Sequence, residues 1–263
     1  MRFSHLDLAV PVATLTLDHS GGNRINFAMR GELLAAFEEV AASQARVLVV
    51  RGQGADFCLG GDIREWPGLA VAELRPRIEV FAKALATLKR LSIPTIAAVQ
   101  GGCQGGGFEL ALSCDFILAG RTARFGFPEA RLGIMTLQGG VLQLAERIGG
   151  AKALEVVLFS EAVAAEQWAD WNVVNRVVDD EDLQAVATRW ANGLASRSLG
   201  VHAATKELLR IWNEAGPRGA EEALYDLSMP LFEKAEVQQC LRAAVGALQT
   251  GPLGSGPDVA GKV

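Results

Sequence analysis

Residues 95–109 read TIAAVQGGCQGGGFE, and this stretch limits what the chain can fold into more than any other. The run TIAAV behind Pro94 is short, apolar and partly β-branched, which predicts a buried strand. The apolar side of Phe108, Leu110, Ala111 and Leu112 predicts a helix after it, so glycines must make the turn between them. Five of these, Gly101, Gly102, Gly105, Gly106 and Gly107, let backbone approach a ligand closely. The helix that opens there offers unpaired N–H groups and the positive end of its dipole, a setting that suits developing negative charge. It is not a nucleotide fingerprint, since the glycines miss the offsets of G-x-G-x-x-G and no G-x-x-x-x-G-K-[ST] is present. It carries instead Glu109, three residues past Gly106 on the first turn. Read alone, that carboxylate complements the dipole of an exposed helix start.

With 263 residues, 50% of them hydrophobic and 21% charged, the chain can bury one large core, or one core and a smaller appended part. A formal charge of −5 without a lysine- or arginine-rich block argues against a dedicated nucleic-acid or membrane surface. Cys58, Cys103, Cys114 and Cys240 have neither C-x-x-C spacing nor the density of a disulfide scaffold, so reduced thiols and a cytoplasmic setting are expected. MRFSHLDLAV alternates, unlike a signal peptide, and no window of eighteen apolar residues follows.

Alternating strands are predicted over 3–10 and 12–18, a helix over about 27–42, and a strand buried on both faces at RVLVVR, residues 46–51. A second glycine-bearing loop, GQGADFCLGGDIREW, leads to an amphipathic helix over 75–91 and on to the strand at residue 95. With a further strand over 114–119, this order implies an α/β core of mostly parallel strands over 1–136. Residues 137–248 scan almost entirely as helix, interrupted by a strand-like segment at 173–178, and 249–263 read as a Gly- and Pro-rich mobile tail. His5, His19 and His202 lack metal-ligand spacing, and no G-x-S-x-G occurs, so the chemistry must rest on carboxylates and backbone.

DFCLGGDIREW, AAVQGGCQGGGFELALSCDFILA and ARFGFPEARLGI, in this order and spacing, resemble the successive signatures of the enoyl-CoA hydratase/isomerase (crotonase) family. The resemblance covers about residues 8–248. It implies a spiral of ββα turns, a C-terminal helical part that trimerises, often into a dimer of trimers, and an acyl-CoA thioester as substrate. Coenzyme A would then be part of the substrate, with no metal or separate cofactor required. The resemblance assigns the oxyanion-binding N–H groups to Gly61, after the glycine of F-x-x-G-x-D, and Gly106. Preorganised donors of this kind act only where charge develops, each contributing roughly 10²–10³-fold in rate.

Family hydratases carry one glutamate in G-G-G-x-E and one in F-G-x-P-E, and this sequence has both, Glu109 and Glu129. Syn-addition of water across C2=C3 needs a carboxylate to activate water and a group to protonate C2, each transfer contributing about 10²–10⁴-fold. Phe108, Phe125 and Phe127 should make the surroundings partly apolar, so the two carboxylates are expected to interact and one to have a raised pKa. Asp62, Ile63 and Arg64 match the family segment that meets CoA, Trp66 falls where acyl-pocket residues lie, and Arg64 and Arg24 are candidates for CoA phosphates. The stretch IMTLQGG departs from the family, with Thr136 and Leu137 replacing the usual Pro and Gly where the acyl pocket is shaped, and the basic, aromatic ending is replaced by LQTGPLGSG. Hydration, double-bond isomerisation and a specialised dehydration all stay open, and an RNA-binding role would want more lysines along the helix at 75–90.

Overall fold

The computed structural model describes residues 2–250, with the side chains of residues 249 and 250 left aside. The chain divides between Ser196 and Arg197 into two compact units. Strands β1 (Ser4–Asp7), β2 (Val12–Leu17), β3 (Val47–Gly52), β4 (Thr95–Val99), β6 (Phe116–Gly120) and β9 (Arg176–Val178) form one sheet in the order β1-β2-β3-β4-β6-β9. Only β1 and β2 pair antiparallel there; the remaining pairs are parallel. A second, smaller sheet is built from β5 (Gly102–Gln104), β7 (Arg124–Gly126) and β8 (Val163–Ala164).

The chain climbs as a spiral, each turn placing one strand in the large sheet and a short extended piece in a second layer. In that layer Ile25 bridges Gly61, Cys58 bridges Cys103, and Cys103 pairs with Phe125. Pieces far apart in sequence are thereby stacked in register. The helices α1 (Phe27–Ala42), α2 (Val71–Arg90) and α3 (Gly106–Leu112) close successive turns. Asn26 caps α1, its Oδ1 accepting from Met29 N at 2.8 Å, and supplies the start signal that makes its bounds legible. Helix α2 begins at Val71, four residues before the expected start; no Ser, Thr, Asp or Asn marks that start, and Ala70 N donates to Glu73 Oε2 at 3.3 Å.

The central strands are buried on both faces, as RVLVVR demands. Leu48, Val50, Ala97, Val99, Ile117 and Ala119 face the main core with α1, α2 and α3. Val47, Val49, Ile96, Ala98 and Leu118 face the other way, against Leu183, Val186, Ala187 and Ala191 of α7 (Leu183–Ala195). The boundary expected after residue 136 therefore lies inside the first unit, which also takes in α4 (Gly140–Ile148), α5 (Gly150–Phe159) and α6 (Ala165–Asp170). The two-residue strand β8 is too short to leave a periodic signal. Cys58, Cys103 and Cys114 are buried thiols and Cys240 an exposed one, none of them in a disulfide; burial pushes Cys58 up to about 12 and Cys103 upward as well.

The second unit holds α8 (Leu199–Phe232) and α9 (Ala235–Thr250). Helix α8 is broken at Gly216, whose φ of 74° and ψ of −177° precede Pro217, a residue that disfavours helical geometry before it. Ser198 Oγ donates to Glu236 Oε1 at 2.6 Å between the start of α8 and α9. No residue of α8 is buried. Of the segment expected as a mobile tail, 251–263 lies outside the described residues.

Candidate active site

The spiral brings the two glycine loops together. A Cβ on Gly106 would lie 3.7 Å from Gly61 N and 3.3 Å from the Phe81 ring, so the backbones of the two loops approach each other beside that ring. Ile25 exchanges bonds on either side of Gly61, taking Asp62 N at 3.0 Å and giving its own N–H to Gly60 O at 2.8 Å. Gly61 N–H is left facing away from that bridge, and Gly106 N–H is an orphan donor at the start of α3. Among the described residues neither N–H has a protein acceptor.

Both glutamates line the same cleft, together with Ile25, Arg30, Gly61, Trp66, Phe81, Gly106, Leu137 and Gln138. Glu109 is only 2% exposed. Its Oε1 accepts from Gln138 N at 2.7 Å and Gly140 N at 2.9 Å. Burial pushes its carboxyl up to about 7 against those two hydrogen bonds, and the charge of Glu129 pushes the same way. Behind it Phe108 packs on Phe127, Phe125 and Trp168 at centroid distances of 5.0, 5.2 and 4.9 Å. This buried aromatic cluster reaches Glu109 through Phe127, since the Phe127 ring and Glu109 Cγ both crowd the Cβ position of Gly140, and Phe81 and Trp66 supply aromatic walls of the cleft.

Glu129 follows Pro128 at the start of a short 3-10 turn after β7. It is half-buried, its carboxyl is also raised by burial, and its Oε2 is buried with no hydrogen-bond partner. A Cβ on Gly105 would fall on Glu129 Oε1, and Gly105 itself sits at φ +51°. Two carboxyl groups with raised affinity for protons beside two unpaired N–H donors can exchange protons with a water and hold an oxyanion.

Of the other sequence-predicted residues, Trp66 lines the cleft while Asp62, Ile63, Arg64 and Arg24 do not. Arg64 pairs with Asp62 through Nε at 2.7 Å and Nη2 at 2.6 Å, holding that carboxyl below its ordinary range. Arg24 Nη1 donates to Leu59 O at 2.9 Å. The residue missed by sequence reasoning is Arg30. It is 3% exposed on α1, and burial lowers its guanidinium to about 10. Its position on the same helix face as Leu33 and Phe37 was the available signal, because a long cation among core positions must have a reason to be there.

Residues 9–245 match the sequence model of the enoyl-CoA hydratase/isomerase family. The chain belongs to this family. The crotonase fold seen here is shared by an enoyl-CoA hydratase from Bacillus anthracis, 24% identical, with a TM-score of 0.87 over 92% of this chain and 95% of that one. The chain is 37% identical over 183 residues to the mevalonyl-coenzyme A hydratase of Aspergillus fumigatus, covering 68% of this chain and 67% of the relative. It is 36% identical over 218 residues to the carnitinyl-CoA dehydratase of Salmonella typhimurium, covering 80% and 81%. This crotonase-family chain is an enzyme, and relatives of this kind support hydratase-type activity.

Proposed function

We propose that the protein catalyses reversible syn-addition of water to a 2-enoyl-CoA thioester. The observation that carries this reading is that Glu109 and Glu129 line one cleft with Gly61 and Gly106. Water bound between the carboxyl groups loses a proton to one of them as its oxygen bonds to C3. The C2=C3 electron pair shifts to the thioester oxygen, and the enolate is held by Gly61 N–H and Gly106 N–H. It collapses by taking a proton at C2 from the carboxylic acid. Reversed, the same steps dehydrate a 3-hydroxyacyl-CoA, so a specialised dehydratase is the same machine run backwards.

The reading requires no metal or redox cofactor, coenzyme A being part of the substrate, and no nucleic acid. Of the basic residues on α2, Arg75 is paired with Glu79 at 2.7 Å and Arg77 lies over the Phe27 ring at 5.1 Å. Asp62, Ile63, Arg64 and Arg24, at the rim of the two loops, are assigned to the CoA moiety. A cytoplasmic homo-oligomer, a trimer or a dimer of trimers, is the assembly that goes with it. Among the described residues no helix is long and apolar enough to cross a membrane. The test is hydration of crotonyl-CoA, followed by loss of enoyl absorbance, against longer and branched enoyl-CoA thioesters. Turnover that is lost in Glu129→Gln is expected; failure to hydrate any of them, with double-bond migration instead, would transfer the reading to an isomerase.

A further inference from the structure

Arg30 is a buried cation with too few partners. Its Nη1 donates to Arg77 O at 3.1 Å, and its guanidinium lies 4.9 Å from the Phe27 ring centroid and 5.7 Å from that of Trp66. Among the described residues no carboxylate comes within ion-pair distance of it. Glu65 is the charge that acts on it, but Glu65 Oε2 is engaged by Phe27 N at 2.6 Å. Arg30 Nε is buried without a hydrogen-bond partner, and so is Trp66 Nε1 on the neighbouring wall. A buried polar group left unpaired costs free energy, more so when charged, and a site that carries two such donors side by side is shaped for something that supplies acceptors and charge.

Both walls flank Gly61. A Cβ on that residue would stand 3.1 Å from Trp66 Cζ2 and 3.8 Å from Arg30 Nη2. Whatever reaches these donors while its thioester lies at Gly61 is thus a part of the ligand within a few bonds of the thioester.

We propose that Arg30, with Trp66, is a specificity-determining residue that selects short acyl chains ending in a carboxylate. A carboxylate offers two oxygens with which to accept from Nε and Nε1, and it is the counter-charge the guanidinium lacks. The same cation disfavours acyl groups bearing a quaternary ammonium, by like-charge repulsion. The proposal rests on the CoA-thioester reading of the cleft, but not on which reaction follows binding.

The experiment compares binding of two saturated, unreactive thioesters of equal chain length, glutaryl-CoA and pentanoyl-CoA, to the full-length protein by calorimetry. Charge-assisted hydrogen bonds of this kind should make the carboxylated ligand roughly 10- to 100-fold tighter. Arg30→Met should abolish the preference while leaving pentanoyl-CoA within about 3-fold, and Arg30→Lys should restore part of it. Pentanoyl-CoA binding as well as glutaryl-CoA to the wild type overturns the proposal, whether or not the variants fold. An equal loss for both ligands in Arg30→Met also overturns it, assigning the residue to packing or to the CoA moiety. A preference for glutaryl-CoA without hydration of any enoyl-CoA would sustain this proposal and remove the hydratase reading; binding of neither thioester removes both.

Discussion

Gly140 holds Glu109 both by what it donates and by what it lacks. Its N–H reaches Glu109 Oε1 at 2.9 Å, and a Cβ on it would stand 3.0 Å from Glu109 Cγ and collide with the Phe127 ring. The carboxyl is thus pressed into an apolar floor while two backbone donors favour its ionised form, and burial is the stronger influence, raising it to about 7. A carboxyl raised in the folded state contributes stability that is complete below its unfolded value of 4.5 and is lost as pH rises through about 7. Glu109→Gln keeps the acceptor and removes the ionisation. The variant should match the wild type in thermal unfolding near pH 5 and exceed it by several degrees above about pH 8, each pH unit of displacement corresponding to about 1.4 kcal/mol. A variant less stable than the wild type at both ends would contradict this.

Gly105 makes room for Glu129. Its φ of +51° is a conformation that side chains rarely adopt, and its Cβ would overlap Glu129 Oε1. Gly105→Ala should therefore cost about 1–2 kcal/mol of stability. It should also displace Glu129 from the cleft, lowering kcat by roughly 10²-fold, the scale of one proton transfer. The check is kcat and KM measured together with the unfolding midpoint; a stable variant with full kcat would show that Glu129 does not need this position.

Much of this was legible in the sequence, and the parts that were not share a cause. The strand at Thr95–Val99 and the helix at Phe27–Ala42 announce themselves through local chemistry: a β-branched apolar run in one case, an Asn cap and an apolar face in the other. Glu109 and Glu129 were found because each sits in its own short motif. Arg30 has no motif, whereas Leu137 and Gln138 fall in the stretch IMTLQGG already singled out. Arg30 enters the cleft because the register Ile25–Gly61 stacks turns that lie dozens of residues apart, and nothing within one turn of sequence encodes that neighbour. The division at Ser196 was obscured for the same reason, since the helical period of α7 does not reveal that its apolar face belongs to the sheet.

The second unit leaves a large apolar surface uncovered. Leu209, Trp212, Tyr225 and Phe232 of α8 are 56%, 50%, 67% and 48% exposed, more than a helix pair leaves open without a partner. A second and third copy of this chain are the expected cover. Sedimentation at micromolar concentration should give a trimer or a multiple of it, and Trp212→Glu should shift the distribution toward monomer. A wild-type monomer would dismiss the assembly.

The two glutamates decide whether the chemistry is shared. Glu109→Gln and Glu129→Gln each preserve size and hydrogen bonding but remove the proton acceptor. Each should lower kcat for enoyl-CoA hydration by roughly 10²–10⁴-fold, with KM nearly unchanged because the thioester is bound elsewhere in the cleft. The wild-type rate should also show an inflection near the carboxyl value of about 7, which Glu109→Gln removes. If both carboxyl groups act on a single water, the second substitution removes nothing that the first had left working. The double variant should then be little slower than the slower single one, whereas independent contributions would multiply. A silent Glu109→Gln beside an inactive Glu129→Gln would mean that one acid/base suffices, as in double-bond migration, and near-wild-type hydration in both single variants would remove the mechanism.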